Sequence, residues 1–141
     1  CCEKIMKLDI TAIGYITTFE SVTNTNVKEC FFNKNNQLVF IVKENQGKKA
    51  VGKKGIYIKK LERILNKKIK IIELNSNVEE FVKNIIFPLK SPEIKLNGDE
   101  LIIKTDSFQL KALLLGREKS NLKEIQNIAN KYFPNIKIII N

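Results

Sequence analysis

Histidine is absent from the 141-residue chain, and cysteine is scarce. Without histidine, the protein lacks the commonest general base and every catalytic triad that depends on imidazole. The cysteines are Cys1, Cys2 and Cys30, an odd number without a CxxC pair, which argues against a disulfide framework and against a zinc site. No catalytic constellation remains, so we predict that the protein is not an enzyme and has no catalytic, metal or cofactor site.

Long apolar runs are also missing. No stretch approaches the length of a transmembrane helix, and no charged-then-apolar signal peptide leads the chain. The 43% of apolar residues is still enough to bury a core. We therefore expect a soluble, cytoplasmic, globular protein without a membrane or small-molecule partner. Residues 1–7 are expected to form a leader that is unstructured or a remnant of cloning.

Positive charge is in excess and is concentrated in one segment. The chain carries 25 basic and 15 acidic residues, a net charge of +10. Residues 43–70 hold eleven basic and two acidic residues, or +9, whereas the rest of the chain holds 14 and 13, or +1. Such a cluster suits a polyanion, because neutralising phosphates releases counterions. A helix solubilised by lysines is the alternative, and composition alone leaves both open.

Hydrophobic periodicity and turn residues predict the same order of elements twice, α-β-β-α-α-β. In the first half they predict a helix over 9–22, strands over 27–32 and 37–43, a short segment over 48–51, a helix over 56–65 and a strand over 68–74. In the second half they predict a helix capped by Asn77 and ended by Pro88, strands over 93–96 and 100–105 around an Asn97-Gly98 turn, helices over 108–115 and 122–132, and a strand over 136–140.

Two short loops occupy the same place in these halves. GKKG spans Gly52–Gly55 and GREK spans Gly116–Lys119, so the loops begin 64 residues apart and indicate an internal duplication. Glycines permit close backbone approach, and a loop that feeds a helix N-terminus favours an anion. Lys53 and Lys54 add charge where a phosphate would sit. A lone G-x-x-G is weak, but this context between two helices strengthens it.

Several stretches carry a family resemblance. They are IGYITTFESVT (13–23), VFIVK (39–43), GKKAVGKKG (47–55), IKKLERIL (58–65), EEFVKNIIFP (79–88) and LLGREKSNLKEI (114–125). With them, nearly the whole chain after Met6 resembles the archaeal NusA-like proteins, which consist of two tandem KH domains of the bacterial type, type II. The resemblance implies an α+β fold with KH domains over 8–75 and 76–141, each having a three-stranded mixed sheet packed against helices.

The resemblance also implies a function. KH domains clamp the backbone of about four nucleotides with a GXXG loop. We therefore expect binding of single-stranded RNA, in transcription termination or antitermination near RNA polymerase. The candidate RNA-binding residues are Lys49, Gly52, Lys53, Lys54, Gly55, Lys59, Lys60, Gly116, Arg117 and Lys119. The alternatives are an RNA-binding protein of ribosome assembly or translation, and a protein-interaction adaptor whose basic face docks an acidic partner.

The second loop departs from the family pattern. Lys119 stands where the second glycine belongs, and Glu118 places a negative charge inside the loop. We expect the backbone to lose its freedom there and the carboxylate to repel phosphate, so that the second grip is weaker.

Four residues of the first half have a structural alternative to a functional role. Ile56, Ile58 and Tyr57 would line a nucleobase site or else pack in the core. Cys30 is expected to be a small buried apolar residue rather than a nucleophile.

Overall fold

The structure is a computed structural model that describes residues 10–141 of the chain. Cys1, Cys2 and the predicted leader over 1–7 lie outside the described residues, as does the predicted start of the first helix at Asp9. Each of the helices described over residues 10–141 is too short or too polar to span a lipid bilayer.

The chain divides between Leu74 and Asn75 into two compact units. The elements of the first unit are α1 (Ile10–Thr23), β1 (Val27–Phe32), β2 (Leu38–Val42), α2 (Gly47–Val51), α3 (Ile56–Leu65) and β3 (Ile69–Glu73). In its sheet β2 is the middle strand, antiparallel to β1 and parallel to β3. The sheet is therefore mixed, and the predicted α+β class is confirmed for this unit.

The core of the first unit forms around the middle strand. Every residue of β2 is buried, and the Phe19 ring of α1 stacks on Phe40 of β2 with centroids 4.1 Å apart. Ala50 of α2 and Leu61 of α3 belong to the same buried cluster. Since each helix contributes a fully buried side chain, α2 and α3 are both anchored to the sheet. The loop that joins them is therefore held at both ends.

The amphipathic pattern of α3 decides which of its residues meet solvent. Leu61 is buried, while the neighbouring Lys59 and Lys60 are exposed. The helix has the predicted bounds, because it begins directly after Gly55 and ends where Asn66 takes the left-handed conformation at φ +54°. Lys59 and Lys60 therefore lie on a solvated face of α3, as the interpretation of the basic segment as a lysine-solubilised helix predicts.

The second unit repeats this architecture. Its elements are α4 (Val78–Ile86), β4 (Glu93–Asn97), β5 (Glu100–Lys104), α5 (Phe108–Leu115), α6 (Ser120–Asn130) and β6 (Lys137–Ile140). The middle strand β5 is antiparallel to β4 and parallel to β6, so the pairing matches that of the first unit. As predicted, the Asn77 side chain caps α4, since its Oδ1 accepts a hydrogen bond from the Glu80 N–H at 3.1 Å.

Two predicted features of the second unit are wrong by a residue or two. The hairpin turn consists of Gly98 and Asp99, because Asn97 already pairs with Glu100 in the ladder. Gly98 at φ +67° suits the first central position of a two-residue turn. Helix α6 ends before Tyr132, but the Tyr132 ring still packs edge-on against Phe81 with centroids 5.6 Å apart.

Candidate nucleic-acid interface

The first glycine loop is a tight, left-handed connection between α2 and α3. Gly52, Lys54 and Gly55 have φ values of +80°, +57° and +73°. The Gly55 N–H donates to the Gly52 carbonyl at 3.1 Å and closes a single 3-10 turn. This backbone turns the Lys53 and Lys54 side chains out to solvent, where both are exposed.

The two glycines of this loop meet different constraints. A Cβ on Gly52 would lie 2.7 Å from Cδ2 of Tyr57 and 3.0 Å from Cγ2 of Ile56. At φ +80° and ψ 166°, Gly52 also occupies a region that is essentially restricted to glycine. A Cβ on Gly55 would meet nothing within 4 Å. Space and conformation therefore both require glycine at position 52, whereas at position 55 the conformation favours glycine but the space admits a side chain.

The structure brings the predicted basic residues of the first unit to one loop and its flanks. Lys49 lies in the last turn of α2, Lys53 and Lys54 in the loop, and Lys59 and Lys60 in the first half of α3. All five are exposed, and none forms an ion pair within residues 10–141. Their charge is therefore available to an external anion.

A carboxylate that the sequence analysis missed fixes the start of α2. Glu73, the last residue of β3, accepts hydrogen bonds from the Asn45 N–H at 3.1 Å and the Gly47 N–H at 3.2 Å. Gly47 packs so closely on Glu73 that a Cβ would collide with the carboxylate. The negative charge of the Glu73 carboxylate also stabilises the partial positive charge at the N-terminus of α2. No local pattern reveals this contact, because the partners lie 26 and 28 residues apart.

In both units, a side chain of the helix after the loop accepts a hydrogen bond from an N–H of the following strand: α3 contacts β3 in the first unit, and α6 contacts β6 in the second. In the first unit Oε2 of Glu62 accepts from the Ile69 N–H at 3.1 Å. In the second unit Oε1 of Gln126, 64 residues later, accepts from the Ile138 N–H at 2.7 Å. Gln126 also donates to the Ile136 carbonyl at 2.7 Å. A strand N–H is thus satisfied by a helix side chain in each unit.

The second loop has the backbone of the first despite its different residues. Gly116, Glu118 and Lys119 have φ values of +73°, +54° and +62°. Lys119 therefore adopts the left-handed conformation that Gly55 adopts in the first loop, so the replacement of the second glycine leaves the backbone conformation of the loop unchanged. The corresponding position in the first loop, Gly55, has open space around a Cβ, so a side chain fits there and the remaining cost is the left-handed strain of about 1–2 kcal/mol.

The second loop is stabilised by an amide that the first loop lacks. Nδ2 of Asn121, in the first turn of α6, donates to the Leu113 carbonyl of α5 at 2.6 Å. In the first unit Tyr57 occupies the corresponding position, and its ring packs against Gly52 instead. Gly116, Arg117 and Lys119 therefore lie together on their own loop, with Arg117 and Lys119 exposed.

The other singled-out residues of the first unit divide between surface and core. The Ile56 side chain is 57% exposed beside the loop, whereas Ile58 is half-buried and packs against the core. Cys30 is buried, and burial, with a smaller contribution from Glu29, raises the pKa of its thiol to about 12. Cys30 is therefore an inert thiol in the core, as predicted.

No candidate metal site appears in the part of the chain that the structure describes. There, no cluster of three or more histidine, cysteine, aspartate or glutamate side chains is placed to hold a metal ion. Glu79, at the start of α4, instead accepts a hydrogen bond from the Leu96 N–H at 2.7 Å.

Comparison with known proteins identifies similar chains over most of this length. Residues 14–97, more than half of the chain, match the family model described as KH domain, and this range contains the first loop and ends before the second. A protein of Methanococcus vannielii is 29% identical over 95% of this chain and 80% of its own. One of Methanocaldococcus jannaschii is 29% identical over 98% of this chain and 73% of its own. Both are named probable transcription termination protein NusA.

A solved structure has a similar fold. The crystal structure of APE1850 has a TM-score of 0.69 and 28% identity with this chain. The match covers 95% of this chain and all of the solved one.

Proposed function

Since the chain belongs to the KH domain family, we propose that it binds single-stranded RNA through the loop Gly52–Gly55. The observation that carries this proposal is the tight loop with positive φ values that presents two exposed lysines between two anchored helices. KH domains use such a loop to clamp the sugar–phosphate backbone of about four nucleotides. The first unit has both glycines of this loop, and both have positive φ values.

The proposed grip combines backbone and side-chain groups. The ammonium groups of Lys53 and Lys54 contact phosphates, and backbone N–H groups of the loop donate to phosphate oxygens near the start of α3. The Gly55 N–H is excluded from this role, because it donates to the Gly52 carbonyl. Lys49, Lys59 and Lys60, which flank the loop, attract the strand and support its position.

The bases are proposed to enter a groove between α3 and β3. β3 is an edge strand of the sheet, and Ile56 at the start of α3 exposes 57% of its surface. An exposed apolar side chain beside cations provides a contact for a base that has left its stack. Ile58 is not part of this groove, since it packs against the core.

We further propose that residues 76–141, in the second unit, form a second type II KH domain that binds RNA more weakly. Its element order, strand pairing and loop backbone support this proposal. Gly116, Arg117 and Lys119 would contact the RNA backbone, but the Glu118 carboxylate lies in the same exposed turn and repels phosphate.

The names of the two archaeal relatives suggest the cellular process in which this chain acts. They are named for transcription termination, so we propose that this chain acts on nascent RNA near RNA polymerase, in termination or antitermination. Purification of the tagged protein from its host under mild conditions tests this step. We expect RNA polymerase to co-purify. Ribosomes in its place would contradict the proposed process and favour ribosome assembly or translation.

A titration tests the RNA-binding proposal itself. Fluorescence anisotropy with a short single-stranded RNA compares wild type with Lys53→Asp plus Lys54→Asp. We expect the double substitution to weaken binding by at least about tenfold, and the wild-type affinity to fall with salt at a slope of about −0.7 for each phosphate contacted.

The matched control reverses two other exposed lysines, Lys83→Asp plus Lys90→Asp. It changes the net charge equally and should bind nearly as wild type does. If both double variants lost the same affinity, net charge rather than the loop would account for binding, and the proposal would fail.

A further inference from the structure

We propose that RNA leaving the first loop continues along the solvent face of α3, where its phosphates contact Arg63, Lys67 and Lys68. These three residues are called the distal basic track. The inference rests on the proposed function, and it extends the contact beyond the four nucleotides that a GXXG loop clamps. The proposal predicts that the first unit alone binds more than four nucleotides of single-stranded RNA.

The track continues the cations of the loop in a regular series. Lys59 and Arg63 are four residues apart on α3 and therefore lie one above the other, about 6 Å apart along the axis, a little more than one turn. Lys67 and Lys68 follow directly after the helix end at Asn66. All of these side chains are exposed. A step of one turn is comparable with the spacing of successive phosphates in an extended single strand.

Acidic side chains do not neutralise the track. The acidic residue of α3 is Glu62, and its carboxylate is turned to the sheet, where it accepts from the Ile69 N–H at 3.1 Å. Arg63, Lys67 and Lys68 form no ion pair within residues 10–141. The charge of the track is therefore open to an external polyanion.

The far end of the track is held in place. Nζ of Lys67 lies 5.6 Å from the centroid of the Phe32 ring, a cation–π contact. The Lys68 carbonyl accepts from the Leu38 N–H at 2.7 Å. These contacts fix the chain beside the sheet while both lysine side chains stay exposed. Less ordering is then required when a phosphate binds.

The second unit shows that the fold does not need these cations. At the positions 64 residues after the three cations of α3, Lys59, Lys60 and Arg63, it has Lys123, Glu124 and Asn127 in α6. The net charge of these three positions is therefore +3 in the first unit and 0 in the second. Like charges one turn apart destabilise a helix. Fold stability alone does not account for the track.

An exposed apolar residue lies among these cations. Ile64 is 51% exposed, whereas the corresponding Ile128 in α6 is only 5% exposed. Ile64 follows Arg63 and precedes Lys67, so it provides an apolar contact for a sugar or base whose phosphates are held on either side. Cations interspersed with apolar surface suit single-stranded RNA.

The test measures RNA affinity as a function of strand length. Single-stranded RNAs of four, eight and twelve nucleotides are titrated with wild type and with Arg63→Gln plus Lys67→Gln plus Lys68→Gln. We expect wild type to bind the eight-nucleotide RNA much more tightly than the four-nucleotide RNA. We expect the track variant to bind the shortest RNA as wild type does, but the eight-nucleotide RNA about tenfold more weakly, with a salt slope reduced by about 2.

The matched control is Lys83→Gln plus Lys90→Gln plus Lys95→Gln, three exposed lysines of the second unit. It should keep the length dependence of wild type. If the track variant also kept it while Lys53→Asp plus Lys54→Asp lost binding, the track would be refuted and the loop function would stand. If wild type bound none of the three RNAs, both proposals would be refuted. Circular dichroism verifies that each variant is folded.

Discussion

The two glycine loops of this chain have the same backbone conformation but carry different side chains. The first glycines, Gly52 and Gly116, have ψ values of 166° and 175°, and the last loop residues, Gly55 and Lys119, have ψ values of 21° and 25°. The first pair lies in a region essentially restricted to glycine, whereas the second pair lies in the left-handed helical region. This difference explains why only the second glycine is replaced.

The two loops share their backbone geometry but differ in the charge of their side chains. The first loop carries Lys53 and Lys54 on this backbone, and the second carries Arg117 and Glu118 at the same two positions. The conserved shape would serve phosphate binding in either loop, but the side chains favour it in the first. On the proposed function, a change of residue would thus weaken phosphate binding without changing the backbone of the loop.

The flanking helices differ in the same sense. In α2 the exposed positions before the loop are Lys48 and Lys49, whereas the corresponding positions of α5 are Ala112 and Leu113, both exposed. The Phe108 side chain at the start of α5 is 86% exposed. The helix before the first loop therefore presents cations to solvent, whereas the helix before the second loop presents apolar side chains.

The largest effect should separate the two glycines of the first loop. Gly52→Ala adds a Cβ that lies 2.7 Å from the Tyr57 ring in a conformation restricted to glycine, so we expect a loss of about 3 kcal/mol in the free energy of unfolding. Gly55→Ala meets open space and should lose about 1 kcal/mol. Urea denaturation measures both. Equal losses would show that the two positions are not distinct.

A smaller effect should come from exchanging the residue types at the last loop position. Lys119→Gly relieves left-handed strain, partly offset by the freedom of glycine in the unfolded chain, so we expect a gain of about 0.5–1 kcal/mol. The reciprocal Gly55→Lys should lose about as much. The same denaturation experiment checks both variants. A large loss for Gly55→Lys would contradict the equivalence of the two backbones.

The smallest effect should come from the charge of the second loop. In the background of Lys53→Asp plus Lys54→Asp, the added Glu118→Gln should raise the remaining RNA affinity about twofold to threefold, because an exposed like charge is removed. Anisotropy at low salt measures it. The control Glu100→Gln, another exposed carboxylate of this unit, should have little effect. No difference between the two would indicate that the second loop does not contact RNA.

Elements with strong local signals could be predicted from the sequence. The bounds of α3, α4 and α5 follow from apolar periodicity, a capping asparagine and glycines at helix ends. The hairpin turn was misplaced by one residue, because the sequence shows that Gly98 is in the turn but not which central position it takes. The GKKG tetrapeptide, and GREK at the same place in the repeated unit 64 residues later, predicted both loops of the candidate site.

Features that depend on tertiary contacts could not be predicted. The Glu73 carboxylate caps a helix 26 residues away, and only the sheet brings the two together. The left-handed Lys119 depends on the space that surrounds it, which the sequence does not show. Whether Ile56 or Ile58 faces solvent depends on how α3 docks on the core, and the structure exposes Ile56.

Matched charge reversals in the two loops test the central claim most directly. Lys53→Asp plus Lys54→Asp and Arg117→Asp plus Lys119→Asp each reverse two exposed cations on the same backbone. Both are titrated against one eight-nucleotide single-stranded RNA. We expect the first variant to lose at least about tenfold in affinity and the second about threefold or less. Equal losses, or a larger loss from the second loop, would contradict the claim that the first loop is the principal grip on RNA.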